Sequence, residues 1–207
     1  MINFIEQAVN ELLASSLWEL AAVLLAIAYL FLAMKQNQWC WPAAFISTSI
    51  YTVLFWDSAL LMESVLNAYY LLMAIYGWWV WNKKSDDGVN QPIVSWQLTT
   101  HCKVIGGLSL LSIMVGYLMA TYTHADFAYL DAATTVFAIF TTWMVTQKIL
   151  ENWIYWLVID GVSIYLYLEK SFNLTALLFM FYCVMVIVGY IKWRADYNQH
   201  TGQLSPC

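Results

Sequence analysis

The stretch from Glu151 to Lys170 combines one carboxylate with two indole rings in a segment that is otherwise apolar. On a helix, Trp153, Trp156 and Asp160 are spaced by three and four residues, so their side chains lie on one face. The face of an indole attracts cations, and a carboxylate supplies the opposite charge. Placing that carboxylate inside a membrane segment costs about 2.5–3.5 kcal/mol on insertion scales. The pattern therefore predicts a binding site for a flat cationic ligand.

Polar side chains in three other apolar segments are expected to line the same cavity. Asn67, Ser47 and Thr135 each lie inside a segment long enough to span a bilayer, where an amide or hydroxyl group needs a partner. Glu63 and Asp131 lie close to segment ends, so we interpret them as solvated carboxylates. The predicted substrate-binding residues are Trp153, Trp156, Asp160, Asn67, Ser47, Tyr167 and Thr135.

Several of these residues also have a structural interpretation. Trp153 lies close to a segment end, where a belt of interfacial aromatic residues would explain it equally well. The threonines that accompany Thr135 are also typical of close packing between membrane helices. Asp160 lies nearest the middle of its segment, where a packing role is the weakest explanation.

Composition places these residues in a membrane. The chain has 207 residues, of which 62% are hydrophobic and only 10% are charged, whereas a soluble domain has about 25% charged residues. The sequence has no basic patch that would indicate nucleic acid as a partner. We expect lipid to surround the chain. The four cysteines show no CxxC spacing, and the three histidines (His101, His124 and His200) fall in predicted loops or tails. We therefore predict an all-α integral membrane protein with no metal site, disulfide framework or cofactor.

Seven segments have the length and apolar character of bilayer-spanning helices. The polar stretch 82–101, with Gly88 and Pro92, is the predicted seam between the third and fourth segments. No lysine or arginine precedes Lys35, so the first segment is interpreted as a retained helix instead of a signal peptide. The predicted spans are 17–34, 38–56, 59–82, 103–122, 127–147, 152–168 and 173–193.

The distribution of basic residues predicts the orientation. With seven spans, one side holds Lys170 as its single basic residue, and the other side holds the remaining seven lysines and arginines. Basic loops face the cytoplasm. We therefore expect the N-terminus outside and the C-terminus in the cytoplasm.

A weak internal repeat suggests a duplicated unit. The third span ends IYGWWVW (Ile75–Trp81) and the last ends IVGYIKW (Ile187–Trp193), with the same interval between glycine and tryptophan. The second span then corresponds to the sixth, with Ser47 or Thr48 near the place of Asp160. The predicted single domain, 1–207, comprises two parallel three-helix repeats, about 17–82 and about 127–193, joined by a linker helix at about 103–122. Parallel repeats are typical of transporters with a central site.

Other functional classes fit less well. The sequence contains no GxSxG, HExxH or GxxxxGK motif, and no histidine lies within a predicted span, so we do not expect an enzyme. A retinal protein would need a lysine inside a span, and the last span has only Lys192 at its end. A structural scaffold would explain seven spans but not a carboxylate below two tryptophans.

The segment ENWIYWLVID resembles the WxxWxxx(N/D) motif of the nicotinamide riboside transporters of the PnuC type, with Trp153, Trp156 and Asp160 at the motif positions. The stretch YLDAATT and the end IYGWWVW support the resemblance, which extends to Arg194. It implies a SWEET-like fold with a 3+1+3 arrangement of helices. It also implies a bacterial inner-membrane location and is compatible with a homotrimer. Asn67 matches a position that carries Gln or Asn in similar sequences and would bond a ribose.

The resemblance implies uptake of nicotinamide riboside by facilitated diffusion, with trapping by a separate cytoplasmic kinase. Asp160 departs from the Asn of the enterobacterial carriers, and relatives that resemble the family carry thiamine or riboflavin. Thiamine is also an aromatic cation, so we rank it second, while neutral riboflavin gains nothing from Asp160 and ranks third. Protonation of Asp160 during the cycle would instead couple uptake to a proton gradient, and the sequence leaves that alternative open.

Overall fold

The computed structural model describes residues 2–57, 61–83, 91–123, 127–169 and 172–203. Nearly all of these residues are helical, as expected of a chain whose backbone must satisfy its own hydrogen bonds in lipid. The described ranges contain eight helices: α1 (Ile2–Ala14), α2 (Leu17–Met34), α3 (Cys40–Asp57), α4 (Leu61–Asn82), α5 (Leu98–Tyr122), α6 (Ala128–Thr146), α7 (Asn152–Glu169) and α8 (Asn173–Gln203).

Helices α2 to α8 follow the seven predicted segments in order. Helix α1 was not predicted, because its apolar residues alternate with acids and amides and give no continuous apolar run. The placement of His101 in a loop is wrong, since α5 begins at Leu98 and includes it. His200 lies in α8 and not in a tail, while His124 lies outside the described residues.

The helices are those of a multi-pass membrane protein. By length and hydropathy, α2, α5, α6 and α8 can each cross a bilayer, and α3 contains the shorter apolar stretch Cys40–Leu54. Helix α7 has a lower hydropathy than these four because it carries Asn152, Asp160 and several tryptophan and tyrosine rings. The chain therefore places a helix with a buried carboxylate among apolar helices.

The helices form two groups of three. Helix α3 packs against α2 and α4, which together form the first half. Helix α7 packs against α6 and α8, which together form the second half. Contacts between α4 and α6 and between α2 and α8 join the halves, and α5 packs along α6.

In the first half, a tryptophan packs directly on a glycine. The ring of Trp41 on α3 lies so close to Gly77 on α4 that any side chain at position 77 would overlap it. The same ring meets Trp81 edge to face, with the ring centroids 5.3 Å apart. The indole N–H of Trp81 donates to the backbone carbonyl of Thr146 at 3.1 Å, so it reaches the end of α6 in the second half.

The second half repeats these contacts at a constant offset along the chain, the interval from Trp41 to Trp153, which we call the repeat interval. Trp153 on α7 lies against Gly189 on α8, where a side chain would again overlap it. Trp153 also meets Trp193 edge to face at 5.3 Å. The indole N–H of Trp193 donates to the carbonyl of Ala33 at 3.1 Å and so reaches the end of α2. Each half is therefore bonded to the first helix of the other.

Helices α2 and α6 also end alike. Gln36 and Lys148, which are separated by the repeat interval, both adopt the left-handed conformation with φ of 52°. In both turns the amide of that residue donates to the carbonyl three residues earlier, and the next amide donates to the carbonyl five residues before it. This is a Schellman motif, which usually uses glycine at the left-handed position. A residue with a side chain costs roughly 1–2 kcal/mol there.

Helix α1 contacts the start of α8. The Glu11 carboxylate accepts a hydrogen bond from the backbone amide of Leu174 at 2.8 Å, and the amide side chain of Asn173 donates to Gln7 at 2.9 Å. A carboxylate at this position stabilises a helix N-terminus. Helix α1 thus caps α8 at the end opposite Trp193.

Candidate functional site

A cavity of about 180 Å³ lies between the two halves. Its wall combines aromatic rings, hydroxyl groups and small side chains, a mixture typical of small-molecule sites. Five helices contribute to it: α2, α3, α4, α6 and α7. The lining residues are Ala26, Tyr29, Trp41, Ala44, Ser47, Thr48, Tyr70, Ala74, Thr142 and Trp156.

Asp160 lies near the middle of α7, one turn beyond Trp156, and only 3% of its surface is exposed. Within the part of the chain that the structure describes, its carboxylate accepts no hydrogen bond and forms no ion pair. The hydroxyl groups of Tyr70 and Tyr182 are close enough to interact with it electrostatically. A buried carboxylate with no protein partner needs a bound cation, a proton or water to offset its desolvation.

The two tryptophans of the motif have different surroundings. Trp156 is half-buried and lines the cavity, so its side chain is accessible to a ligand there. Trp153 is only 2% exposed, because Gly189 lets its ring enter the contact between α7 and α8. Its indole N–H is buried with no acceptor among the described residues. Trp153 therefore has the surroundings of a packing residue, and its role as a binding residue stays a prediction.

The other predicted site residues are spread over four helices. Ser47 lines the cavity, but its hydroxyl donates to the Ala22 carbonyl at 2.7 Å and so holds α3 to α2. Asn67 on α4 and Thr135 on α6 are half-buried. Tyr167 stacks against a phenylalanine of α8, with ring centroids 5.2 Å apart. Of this group, the structure brings Ser47 to the cavity beside Trp156.

Two carboxylates near helix ends, Asp131 and Glu63, were predicted to be solvated. Asp131 lies in the first turn of α6 and is half-buried. Glu63 belongs to α4, but its side chain lies outside the described residues. Their interpretation as solvated groups stays a prediction.

Several cavity residues were missed by the sequence prediction, among them Tyr29 and Trp41. The repeat interval could have identified some of them. It pairs Thr48 with Asp160 and Tyr70 with Tyr182. Of the two residues predicted at the Asp160 position, Thr48 is the one at this interval, and it also lines the cavity.

Lys148 closes the contact between the halves at the ends of α2 and α6. Its side chain is buried and donates to the Gln36 side chain at 3.3 Å and to the Gln91 carbonyl at 3.0 Å. Its ammonium group also lies 4.8 Å from the ring centroid of Trp81, within cation–π range. Burial lowers the pKa of Lys148 to about 8, because removal from water disfavours the charged form.

His101 is buried in the first turn of α5, where its ring contacts Tyr155 and Glu151. Its ring nitrogen Nδ1 is 3.0 Å from the Tyr155 hydroxyl, and Nε2 is 3.6 Å from a Glu151 carboxylate oxygen. Glu151 also accepts hydrogen bonds from the Ser95 hydroxyl and the Trp96 amide. This cluster joins α5 to the start of α7 and lies away from the residues that line the cavity.

A larger groove of about 340 Å³ lies between α5, α6 and α7. Apart from Thr134 and Tyr155, its walls are built from aliphatic residues and one phenylalanine. The smaller cavity between the halves is lined by more hydroxyl groups and by Trp156 of the motif, one turn from Asp160, so we place the candidate site there.

Known proteins share this fold and sequence pattern. The crystal structure of the vitamin B3 transporter PnuC superimposes with a TM-score of 0.75, at 19% identity, over 95% of this chain and 89% of that one. The riboflavin/roseoflavin transporter RibM of Streptomyces davaonensis is 23% identical over 174 residues, which cover 82% of this chain and 81% of RibM. The nicotinamide riboside transporter PnuC of Escherichia coli is 18% identical over 176 residues, 72% of each chain.

A match to a protein-family model establishes the family of this chain. The model described as nicotinamide mononucleotide transporter matches residues 16–195, which include helices α2 to α7 and most of α8. The match contains both tryptophan–glycine contacts, the cavity and Asp160. The chain belongs to this family of membrane transporters, which includes PnuC.

Proposed function

We propose that this protein carries nicotinamide riboside into the cell by facilitated diffusion. The observation that carries the proposal is the buried Asp160 carboxylate, which has no partner in the described chain and lies one turn from the cavity-lining Trp156. Nicotinamide riboside has a positively charged aromatic ring, which would supply the missing charge.

In this proposal the ring stacks on Trp156 and its charge faces Asp160. Cation–π attraction in a desolvated site contributes about 2 kcal/mol, and the carboxylate adds a charge interaction that water does not screen. Trp153 keeps α7 against α8 and so positions both groups. Asn67, Ser47, Thr135 and Tyr167 complete the site as polar or aromatic neighbours.

The proposal includes the arrangement of the chain in the membrane. Helices α2 to α8 are the seven spans: two parallel three-helix repeats, with α5 as the linker. The bias of lysine and arginine supports an outside N-terminus and a cytoplasmic C-terminus in the bacterial inner membrane. A separate cytoplasmic kinase would make uptake net inward by phosphorylating the cargo. A homotrimer is compatible with this arrangement.

Riboflavin and thiamine are the alternative cargoes. The similarity to RibM supports riboflavin, since that relative is named as a riboflavin transporter. The carboxylate at Asp160 supports a cation and therefore favours nicotinamide riboside or thiamine over neutral riboflavin.

Binding to purified protein in lipid nanodiscs tests the proposal. Nicotinamide riboside, thiamine and riboflavin would each be titrated by calorimetry and by quenching of tryptophan fluorescence. We expect nicotinamide riboside to bind most tightly, and Asp160→Asn to weaken it far more than Asp131→Asn, a matched change at the start of α6. Preference for riboflavin, or equal losses in the two variants, would contradict the proposal.

Transport in proteoliposomes tests the mechanism. Facilitated diffusion predicts uptake down the cargo gradient alone, with no imposed proton or sodium gradient. A requirement for a proton gradient would replace this mechanism with proton-coupled uptake, in which Asp160 changes protonation during the cycle.

A further inference from the structure

Two tyrosine hydroxyl groups near Asp160 have no hydrogen-bonding partner among the described residues. Tyr70 on α4 lines the cavity, and Tyr182 on α8 lies on the other side of the boundary between the halves. Both interact electrostatically with Asp160. Both tyrosines are only half-buried, so each hydroxyl group is free to bond a ligand or water.

Tyr69, the residue before Tyr70 on α4, has a hydroxyl group with a protein partner. The ring centroid of Tyr69 lies 5.7 Å from that of Tyr70, and the Tyr69 hydroxyl donates to the backbone carbonyl of Ile139 at 2.9 Å. Tyr69 thereby ties α4 to α6. The two adjacent phenols differ in this respect, so Tyr70 is not required to hold the bundle together through a hydrogen bond.

The pair is also related by the repeat. Tyr70 and Tyr182 are separated by the repeat interval, as are the packed tryptophans and glycines of the two halves. Asp160 has no such counterpart, because the equivalent residue is Thr48. Asp160 therefore has a matched tyrosine from each half within electrostatic range.

We infer that Tyr70 and Tyr182 bind the hydroxyl groups of the cargo's sugar or polyol portion, while Trp156 and Asp160 bind its ring. This inference rests on the proposed function and deepens it, because it selects a cargo with a hydroxyl-rich portion over thiamine, which has a single hydroxyl group. A phenol hydroxyl both donates and accepts, so two of them can bridge to neighbouring hydroxyl groups of a ribose.

The test compares ligands that share a ring and differ in the sugar. Nicotinamide riboside and 1-methylnicotinamide carry the same charged ring, but only the first has a ribose. Riboflavin and lumiflavin form the matching neutral pair. Each is titrated by tryptophan quenching into wild-type protein, Tyr70→Phe, Tyr182→Phe and the control Tyr69→Phe, all in nanodiscs.

We expect Tyr70→Phe and Tyr182→Phe each to weaken nicotinamide riboside about 3- to 10-fold, the usual effect of losing one hydrogen bond. Affinity for 1-methylnicotinamide should change less than about 2-fold, since no hydroxyl contact is lost. Tyr69→Phe should leave the ratio of the two affinities unchanged. If the wild type binds riboflavin instead, the same loss must appear for riboflavin and not for lumiflavin.

The outcomes separate this inference from the proposed function. Wild-type binding of nicotinamide riboside with unchanged affinity in both tyrosine variants would overturn the inference and leave the proposed function standing. Equal weakening of both ligands would also overturn it, because it would indicate a general packing role. Binding of riboflavin with the expected losses would support the inference and remove the proposed cargo. Binding of thiamine alone, or of none of these ligands, would overturn both.

Discussion

The two halves of the molecule share a framework and differ in their chemistry. Both contain a tryptophan packed on a glycine, a second tryptophan bonded to the opposite half, a left-handed helix end and a tyrosine within electrostatic range of Asp160. The groups that we propose recognise a cation, Trp156 and Asp160, occur in the second half alone. The pairs that differ include Asp160 and Thr48, Trp156 and Ala44, and Lys148 and Gln36.

This difference separates packing from recognition. Residues that pack the helices together recur because the helices of both halves make the same tryptophan–glycine contact. A symmetric site, in contrast, would place two carboxylates close together in a low-dielectric cavity, where like charges repel strongly. One carboxylate on one side suits a cargo with a single positive charge at one end. The predictions below test each differing or matching pair.

The largest effect is expected at Asp160 and its counterpart. Asp160→Ala should weaken binding of the cationic vitamin by about 30-fold or more, because the cargo's charge would be left buried without a partner. Thr48→Val should change affinity by less than about 3-fold, since the Thr48 hydroxyl already donates to the Ala44 carbonyl at 2.6 Å. Titration calorimetry measures both, and equal losses would show that the halves contribute alike.

The next largest effect is expected from the charge of Lys148 at the end of α6, because the equivalent residue at the end of α2 is the neutral Gln36. Lys148→Gln makes the two ends alike and removes the buried ammonium group. Because burial lowers the pKa of Lys148 to about 8, the folded protein releases this proton at lower pH than the unfolded chain does. The wild type should therefore gain about 3 kcal/mol in unfolding free energy, relative to the variant, as pH rises from about 7 to about 10.5.

Chemical denaturation in nanodiscs at a series of pH values measures this gain. Lys192→Gln is the control, because Lys192 is exposed on α8 and should give no comparable pH-dependent difference. A gap between wild type and Lys148→Gln that stays constant with pH would show that Lys148 is not desolvated.

The matched glycines should respond equally. Gly77→Ala and Gly189→Ala should each destabilise the protein by about 1–3 kcal/mol, because the new methyl group overlaps a tryptophan ring in both halves. Gly106→Ala on α5 meets no neighbour and should stabilise by about 0.5–1 kcal/mol through helix propensity. A large effect in one half and none in the other would show that the frameworks are not equivalent. Thermal unfolding of the three variants provides the comparison.

The smallest effect is expected from changing the ring at Trp156. Trp156→Leu should weaken binding of a cationic vitamin about 2- to 30-fold, and Trp156→Phe should lose less because an aromatic face remains. The equivalent position, Ala44, has no ring to lose. Because both variants remove a tryptophan, the affinities are measured by calorimetry and not by quenching of tryptophan fluorescence. Similar affinities for the two variants would argue against stacking on the ring.

The sequence was sufficient to predict helices α2 to α8 and to indicate a repeat, because both leave local patterns; the 3+1+3 arrangement stays a prediction. Apolar runs long enough to span a bilayer marked α2 to α8. The equal spacing of Gly77 to Trp81 and Gly189 to Trp193 marked the two halves. Helix α1 left no such pattern, since its acids and amides break the apolar run. The start of α5 was missed for the same reason, because the residues around its first turn are polar.

The surroundings of individual side chains depend on packing that local spacing does not encode. Trp153 and Trp156 look alike in the sequence, yet the approach of α8 at Gly189 buries the first and leaves the second beside the cavity. Ser47 was predicted as a site residue, and only the neighbouring helix explains why its hydroxyl is bonded to Ala22.

The crossed indole bonds have a consequence for biosynthesis. The indole N–H of Trp81 donates to the carbonyl of Thr146, which is synthesised later in the chain. The carbonyl of Ala33 accepts from the indole N–H of Trp193, which is synthesised later still, in α8. The first repeat can therefore form both bonds only after the second repeat has been synthesised. A nascent chain stalled before residue 193 should remain open to proteases and membrane chaperones, and translation past that tryptophan should close it.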